Sequence, residues 1–387
     1  MQQSQQRLYF LDWLRVLVIL NLVPFHAAWL MTFIPGFSHI DQDSWFSIVL
    51  NIYVRFFSTW HMPLLFFISG LSSGFILKSH TPVSYLKERV FRLLIPLLFF
   101  MVFLYPVLAY FWPIDVNRSV NFYFTRFWPY LMTKIYFNEN TGSPGWGHMW
   151  FVAYLFIYSS ILLPVFIYLK SNRGKMILSK LYKVNFKKGV LFLIGILFAL
   201  VYGLLSVPFP FFQNNLISDW GYFTYNLVAF LLGYIFSYYQ QFWVAVEKSW
   251  RISLTMGAIL SILCIWIGLK LPAFSTAAYN PHYMLFSLLS GFNTWFWILS
   301  MLGISRKFLD KNTSFLKYFS KASYSFYIIH LVLMVVIGFY LVKLRLGSIA
   351  EFFLFTLISY AVILIFYEVL RRIPVIRFLL GMKSKAG

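Results

Sequence analysis

Apolar runs of membrane-spanning length, separated by short polar segments, follow one another along almost the whole chain. A hydrocarbon core of roughly 30 Å needs about 20 consecutive apolar residues in a helix. On that criterion the pattern predicts about ten transmembrane helices, over residues 8–33, 48–77, 91–112, 148–169, 189–206, 221–240, 251–270, 283–303, 323–342 and 350–370. The expected fold class is therefore an all-α polytopic membrane protein. A single integral-membrane domain over 1–387 is expected, with no internal repeat and no soluble C-terminal domain.

The polar segments alternate in basic content. Those around Lys78 to Arg92, Lys170 to Lys188, Lys248 to Arg251, Arg306 to Lys321 and Arg371 to Lys385 hold most of the 32 Lys and Arg residues. The intervening segments hold only Arg118, Arg126, Lys134, Lys270, Lys343 and Arg345. Cytoplasmic loops carry the basic excess, so both termini are expected in the cytoplasm and the number of spans is even. The net charge of +21 is then topology and contact with anionic lipid, and no nucleic-acid partner is expected. Composition agrees: 60% hydrophobic, 11% charged and a mean hydropathy of +0.74 exclude an ordinary soluble domain. The lone Cys264 excludes an internal disulfide, and no metal-ligand spacing occurs. The first span is too long for a cleavable signal peptide and contains Arg15, so it is read as retained.

That first span holds the most informative polar groups: Asp12, Arg15, Asn21 and His26 in an otherwise apolar stretch interrupted by Pro24. Ionisable groups within a membrane are costly and mark functional interiors. Arg15 and His26 are eleven residues apart, which puts them about 20° apart on a helix face and about 16 Å apart along its axis. Asp12 sits one turn before Arg15 as its local partner. Pro24 qualifies the alignment, because a kink there swings the ring of His26.

Four further groups stand out. His61 precedes Pro63, a kink site, and Ser69-Gly70 fits either a helix-packing patch or the close approach of a ligand. Arg89 and Arg92, three apart at the expected start of the third span, fit either an anion site at a helix N-terminus or a positive-inside anchor. His148 and Trp150 open the fourth span, after a long aromatic loop from Pro113 to Gly147; they fit an interface anchor as well as a site. Tyr327 and His330 lie one turn apart in the ninth span and fit a polar pathway or a bond to a neighbouring helix. Buried charges with breaks at Pro24 and Pro63 also fit a transporter, and a non-catalytic scaffold is a further alternative.

In this order, these pieces resemble the membrane-bound acyltransferase-3 family, the multispanning acyl-CoA-dependent O-acyltransferases of bacteria. Arg15-x10-His26 within Leu-Asp12-Trp-Leu-Arg15 looks like its first-helix signature, and Phe66-Phe67-Ile-Ser69-Gly70 like its second-helix motif. Arg89-x-x-Arg92 resembles its arginine pair, His148-Met-Trp150-Phe its mid-chain helix, and Ser323-Tyr-Ser-Phe-Tyr327-Ile-Ile-His330 its late helix. The stretch from His61 to Gly70 resembles the glucan succinyltransferase subgroup. The resemblance implies a multi-pass protein of the bacterial cytoplasmic membrane that transfers an acyl group, acetyl first and succinyl next, from acyl-CoA to a carbohydrate or other envelope hydroxyl. It implies His26 as general base and Arg15, Arg89, Arg92, Ser69 and Gly70 on the acyl-CoA side. His61, His148, Trp150, Tyr327 and His330 fall on the acceptor side, and no metal is implied. The group that orients His26 is left unnamed.

Overall fold

The computed structural model describes residues 8–112, 146–182, 188–206, 208, 209, 216, 218–270 and 281–382. Among them every regular element is helical. In chain order these are α1 (Tyr9–Phe33), α2 (Trp45–Ser58), α3 (His61–Ser79), α4 (Pro82–Phe111), α5 (Trp150–Ile161), α6 (Leu163–Lys170) and α7 (Asn172–Tyr182). There follow α8 (Lys188–Leu205), α9 (Trp220–Phe236), α10 (Gln240–Lys270), α11 (Pro281–Phe308), α12 (Ser314–Leu341), α13 (Ser348–Leu370) and α14 (Pro374–Leu379).

Among the described residues, seven helical stretches are long and apolar enough to cross a membrane: α1, α2 with α3, α4, α10, α11, α12 and α13. The expected fourth span is a pair, α5 and α6, bent by 45° just ahead of Pro164, whose ring cannot continue the helix. The expected fifth and sixth spans are the shorter apolar helices α8 and α9. The long loop singled out in the sequence lies, over 113–145, outside the described residues.

Prolines explain most irregularities. The break in the second span falls at Thr59-Trp60 rather than at Pro63 itself. Pro63 has no N–H for the carbonyl of Thr59 four residues earlier, and the Thr294 hydroxyl donates to that carbonyl instead, at 2.5 Å. The same device serves α1, which runs through Pro24. The carbonyl of Leu20 accepts from the Tyr360 hydroxyl of α13 at 2.7 Å. Within a bilayer no water replaces such a bond, so a neighbouring helix must supply it. In α4 the π-helical stretches Val90–Leu94 and Phe100–Leu104 lie just ahead of Pro96 and Pro106.

Helices α3 and α9 cross backbone to backbone. A Cβ at Gly70 would lie 1.9 Å from the Phe230 carbonyl oxygen, and one at Gly233 would lie 2.0 Å from that of Phe67. Small residues permit such contact, and dispersion across it holds membrane helices together. Helix α1 packs on α2, α11, α12 and α13, and α12 also meets the end of α4.

The loops rich in Lys and Arg gather at one end of the bundle. There the Lys78 ammonium donates to the Ser237 carbonyl at 2.8 Å and the Trp13 indole to the Lys311 carbonyl at 2.9 Å. At the opposite end, Arg55 donates to the Gly268 carbonyl at 3.1 Å and to Asn51 at 2.6 Å. Its charge is thereby tied to helix ends.

Candidate functional site

At the basic end, α4 carries the arginine pair at two depths. Thr81 caps this helix, accepting from the Ser84 N–H, and Pro82 occupies its first turn. The helix therefore starts seven residues before Arg89, earlier than the hydropathy indicated. This corrects the expectation of an anion site at the helix N-terminus, because the dipole's influence fades within the first turn. Side chains take its place. Arg89 is 9% exposed, lies 4.6 Å over the Tyr85 ring, and its Nε and Nη2 are buried without a protein partner. Tyr85 is fixed in turn: its hydroxyl donates to Ser73 Oγ at 3.0 Å, and Ser73 donates to the Ser69 carbonyl at 2.9 Å. Arg92 stands at the rim, paired with Glu88 at 3.3 Å. Tyr324 of α12 stands within electrostatic range of both guanidiniums, its buried hydroxyl also without a protein partner. A buried guanidinium with free donors is matched to an oxyanion such as phosphate.

Toward the other end, three parts of the chain bring imidazoles together. His26 of α1 and His330 of α12 have ring centroids 5.2 Å apart, and His148, just before α5, is 5.0 Å from His330. Backbone carbonyls only accept, so they fix the tautomers. His330 donates from Nδ1 to the Tyr327 carbonyl at 2.6 Å, which leaves Nε2 as a buried lone pair without a protein partner. His148 donates from Nε2 to the carbonyls of Tyr327 and Ile328, both at 3.2 Å, which leaves its Nδ1 likewise. The Tyr327 hydroxyl donates back to the His148 carbonyl. In His26, Nδ1 is buried without a protein partner, while the ring as a whole is only partly buried. The nearest charge-bearing groups are other imidazoles. Among the described residues no group of three or more His, Cys, Asp and Glu is arranged to hold a metal ion.

The remaining expected residues divide. His61 lies behind the cluster, its Nδ1 donating to the Phe57 carbonyl and its ring against Phe25, which in turn meets His26. Trp150 packs on Tyr154, Tyr222 and Phe66, beside the cluster rather than in it. Arg15 is 2.7 Å from Asp12, its side chain 36% exposed. Ser69 donates to the Leu65 carbonyl at 2.8 Å, and Gly70 is pressed on Phe230, so both are engaged in α3 and its crossing with α9. The row Tyr324, Tyr327, His330, winding round α12 at steps of three, connects the two groups. Sequence reading centred on α1 passed over this connection. It also passed over Asp219, 1% exposed at the start of α9, which accepts from the Tyr154 hydroxyl at 2.6 Å. An acid directly before an apolar run was its only sequence signal.

A helical multi-pass bundle with a buried, unpartnered guanidinium at one end and converging imidazoles toward the other is the frame of a membrane protein with side chains suited to meet an anion and to exchange a proton. The chain belongs to the acyltransferase-3 family, whose acyltransferase domain matches residues 8–368, and it is an O-acyltransferase. Similar proteins include the glucans biosynthesis protein C of Salmonella schwarzengrund (strain CVM19633), of Salmonella heidelberg (strain SL476) and of Salmonella typhi. Each is 21% identical over 392 residues, covering 97% of this chain and 95% of the relative. No solved structure matches.

Proposed function

We propose that the chain transfers an acyl group, acetyl first and succinyl next, from acyl-CoA to a carbohydrate hydroxyl, with His26 as general base. The observation that carries this reading is the pairing of two groups along α12. One is a buried guanidinium with unused donors, and the other is a pair of imidazoles with unused nitrogens. From Tyr324 to His330 the helix rises about 9 Å, within the reach of a pantetheine arm whose phosphates rest on Arg89 and Arg92. Arg15, beside Asp12 at the same end, is an outer contact on the donor's path. Ser69 acts through its carbonyl, which holds Ser73 and hence Tyr85 and Arg89. Gly70 acts by letting α3 sit close to α9.

In the reaction, His26 takes the proton of the acceptor hydroxyl as its oxygen attacks the thioester carbonyl carbon. The C–S bond then breaks, and the imidazolium returns the proton to the leaving thiolate, giving ester and CoA thiol. His330 fills the orienting role that sequence left open. The two ring centroids lie 5.2 Å apart, and both His330 Nε2 and His26 Nδ1 are buried without a protein partner; a hydrogen bond formed between them as the substrates bind would leave His26 Nε2 as the basic nitrogen. Tyr327 and His148 hold His330 in turn. His148, Trp150 and His61 border the acceptor side. The glucan-related names of the similar proteins support a carbohydrate acceptor.

The same reading takes all ten apolar stretches as spans, with both termini in the cytoplasm and the protein in the bacterial cytoplasmic membrane, in contact with anionic lipid. Mass spectrometry of envelope glycans from cells with and without the intact gene tests it. An acyl-sized mass difference on a glycan is expected, and identical glycan masses in both strains would refute it.

A further inference from the structure

On the rim of the arginine site the chain builds a second feature. Ser84, Lys87, Glu88, Phe91 and Arg92 share one face of α4, and with Phe378, Gly381 and Met382 they line an open depression of about 350 Å³. Bound small molecules occupy clefts from roughly 300 Å³ upward. Phe91 and Phe378 are 41% and 50% exposed, with ring centroids 6.1 Å apart and planes tilted by 59°. Ser84, Lys87 and Glu88 in the same lining show that the depression opens to water rather than to lipid. Gly381 fixes its far wall. The residue has a φ of +64°, and a Cβ there would come within 2.9 Å of the Tyr324 ring and 3.1 Å of Pro96. The chain after α14 is thus seated against the Tyr324 ring and Pro96.

We infer that Phe91 and Phe378 form an open clasp for the adenine ring of the donor, one ring stacking on its face and the tilted other meeting its edge, with Lys87 and Arg92 beside it for the phosphates of an adenosine 3′,5′-bisphosphate. The inference rests on the acyl-CoA reading given above. It assigns the C-terminal segment a part in donor recognition. Exposed aromatic rings flanked by cations suit a nucleotide, because a base stacks on the ring while its phosphates meet the charges. Arg89, below the depression, then takes the pyrophosphate, and the pantetheine arm runs inward along α12.

The test uses the full chain in lipid nanodiscs. Binding of adenosine 3′,5′-bisphosphate is measured by calorimetry, and the KM for acyl-CoA by acyl transfer. Phe378→Ala and Phe91→Ala are expected to weaken nucleotide binding about tenfold and to raise KM in step, with kcat largely retained and an unchanged thermal melt. Phe378→Trp is expected to keep binding. Gly381→Ala, which displaces the whole wall, is expected to resemble Phe378→Ala. Equal nucleotide binding by the wild type and both alanine variants overturns the clasp, as does an absence of nucleotide binding in the wild type. The two readings separate cleanly. A wild type that uses acyl-CoA while the variants keep its KM refutes the clasp alone. A wild type that uses no CoA thioester refutes the donor assignment as well.

Discussion

The hydroxyl of Tyr360 is the group through which α13 controls the shape of the first helix. Pro24, two residues before His26, leaves the Leu20 carbonyl without its helical donor, and Tyr360 supplies one at 2.7 Å. Tyr360→Phe removes that donor and keeps the ring. A carbonyl left unpaired in a buried place costs about 1–3 kcal/mol in soluble proteins, and polar contacts between membrane helices average about 0.6 kcal/mol with an upper range near 1.7. The short bond in an apolar setting belongs to the upper part of that range, so a loss of about 1.5 kcal/mol is expected. Pro24→Ala restores an N–H that can reach the Leu20 carbonyl, so in that background Tyr360→Phe is expected to cost well under half as much. The assay is a double-mutant cycle read by thermal melting in detergent and by acyl-transfer rate. Turnover is expected to follow the same pattern, since His26 sits on the turn after the proline. If the two substitutions add without coupling, Tyr360 does not compensate Pro24 and the explanation of the α1 geometry fails.

Other outcomes follow from the same contacts. Gly70→Ala drives a methyl to 1.9 Å from the Phe230 oxygen, where only backbone can yield; a loss of about 3 kcal/mol is expected from forced separation of the helices, visible as a melt several degrees lower. Gly189→Ala, with nothing within 4 Å, serves as the control and is expected to melt unchanged or slightly higher. Arg89→Lys loses the planar contact with Tyr85 and the forked donors, so the KM for acyl-CoA is expected to rise at least tenfold in steady-state assays, with a smaller effect from Arg92→Lys at the rim. Asp219→Asn weakens the bond from Tyr154; a loss of about 1–2 kcal/mol is expected in the melt, and unchanged stability would argue that the carboxylate is neutral or paired elsewhere.

How much of this was legible in the sequence depends on the length of the signal. Spanning hydropathy identified the apolar stretches, since a bilayer imposes one period and one length on every crossing. It did not locate the ends of helices such as α4, α10 and α12. Each of these extends beyond the apolar window into polar residues that hydropathy discards and only caps such as Thr81 and Thr313 reveal. The break at Thr59 was displaced from Pro63 because a proline acts on the carbonyl four residues earlier. The site residues His26, His148 and His330 were each visible as polar intrusions, but their meeting was not, since no periodicity links α1, α5 and α12. Spacing along one helix suggested an axis from Arg15 to His26. The contacts pair Arg15 with Asp12, as their one-turn spacing predicted, and a second row of polar groups runs along α12. Asp219 escaped notice because a single acid before a helix is common, and its burial depends on Tyr154 from sixty-five residues away.

His26, with His330 beside it, is the proposed base that activates the acceptor. Its most direct test is the rate of acyl transfer by His26→Ala in proteoliposomes at saturating acyl-CoA, with donor binding measured on the same preparation. Turnover is expected to fall by about 10²–10⁴ while acyl-CoA binding stays at the wild-type level. A His26→Ala protein that transfers acyl groups at the wild-type rate would contradict it.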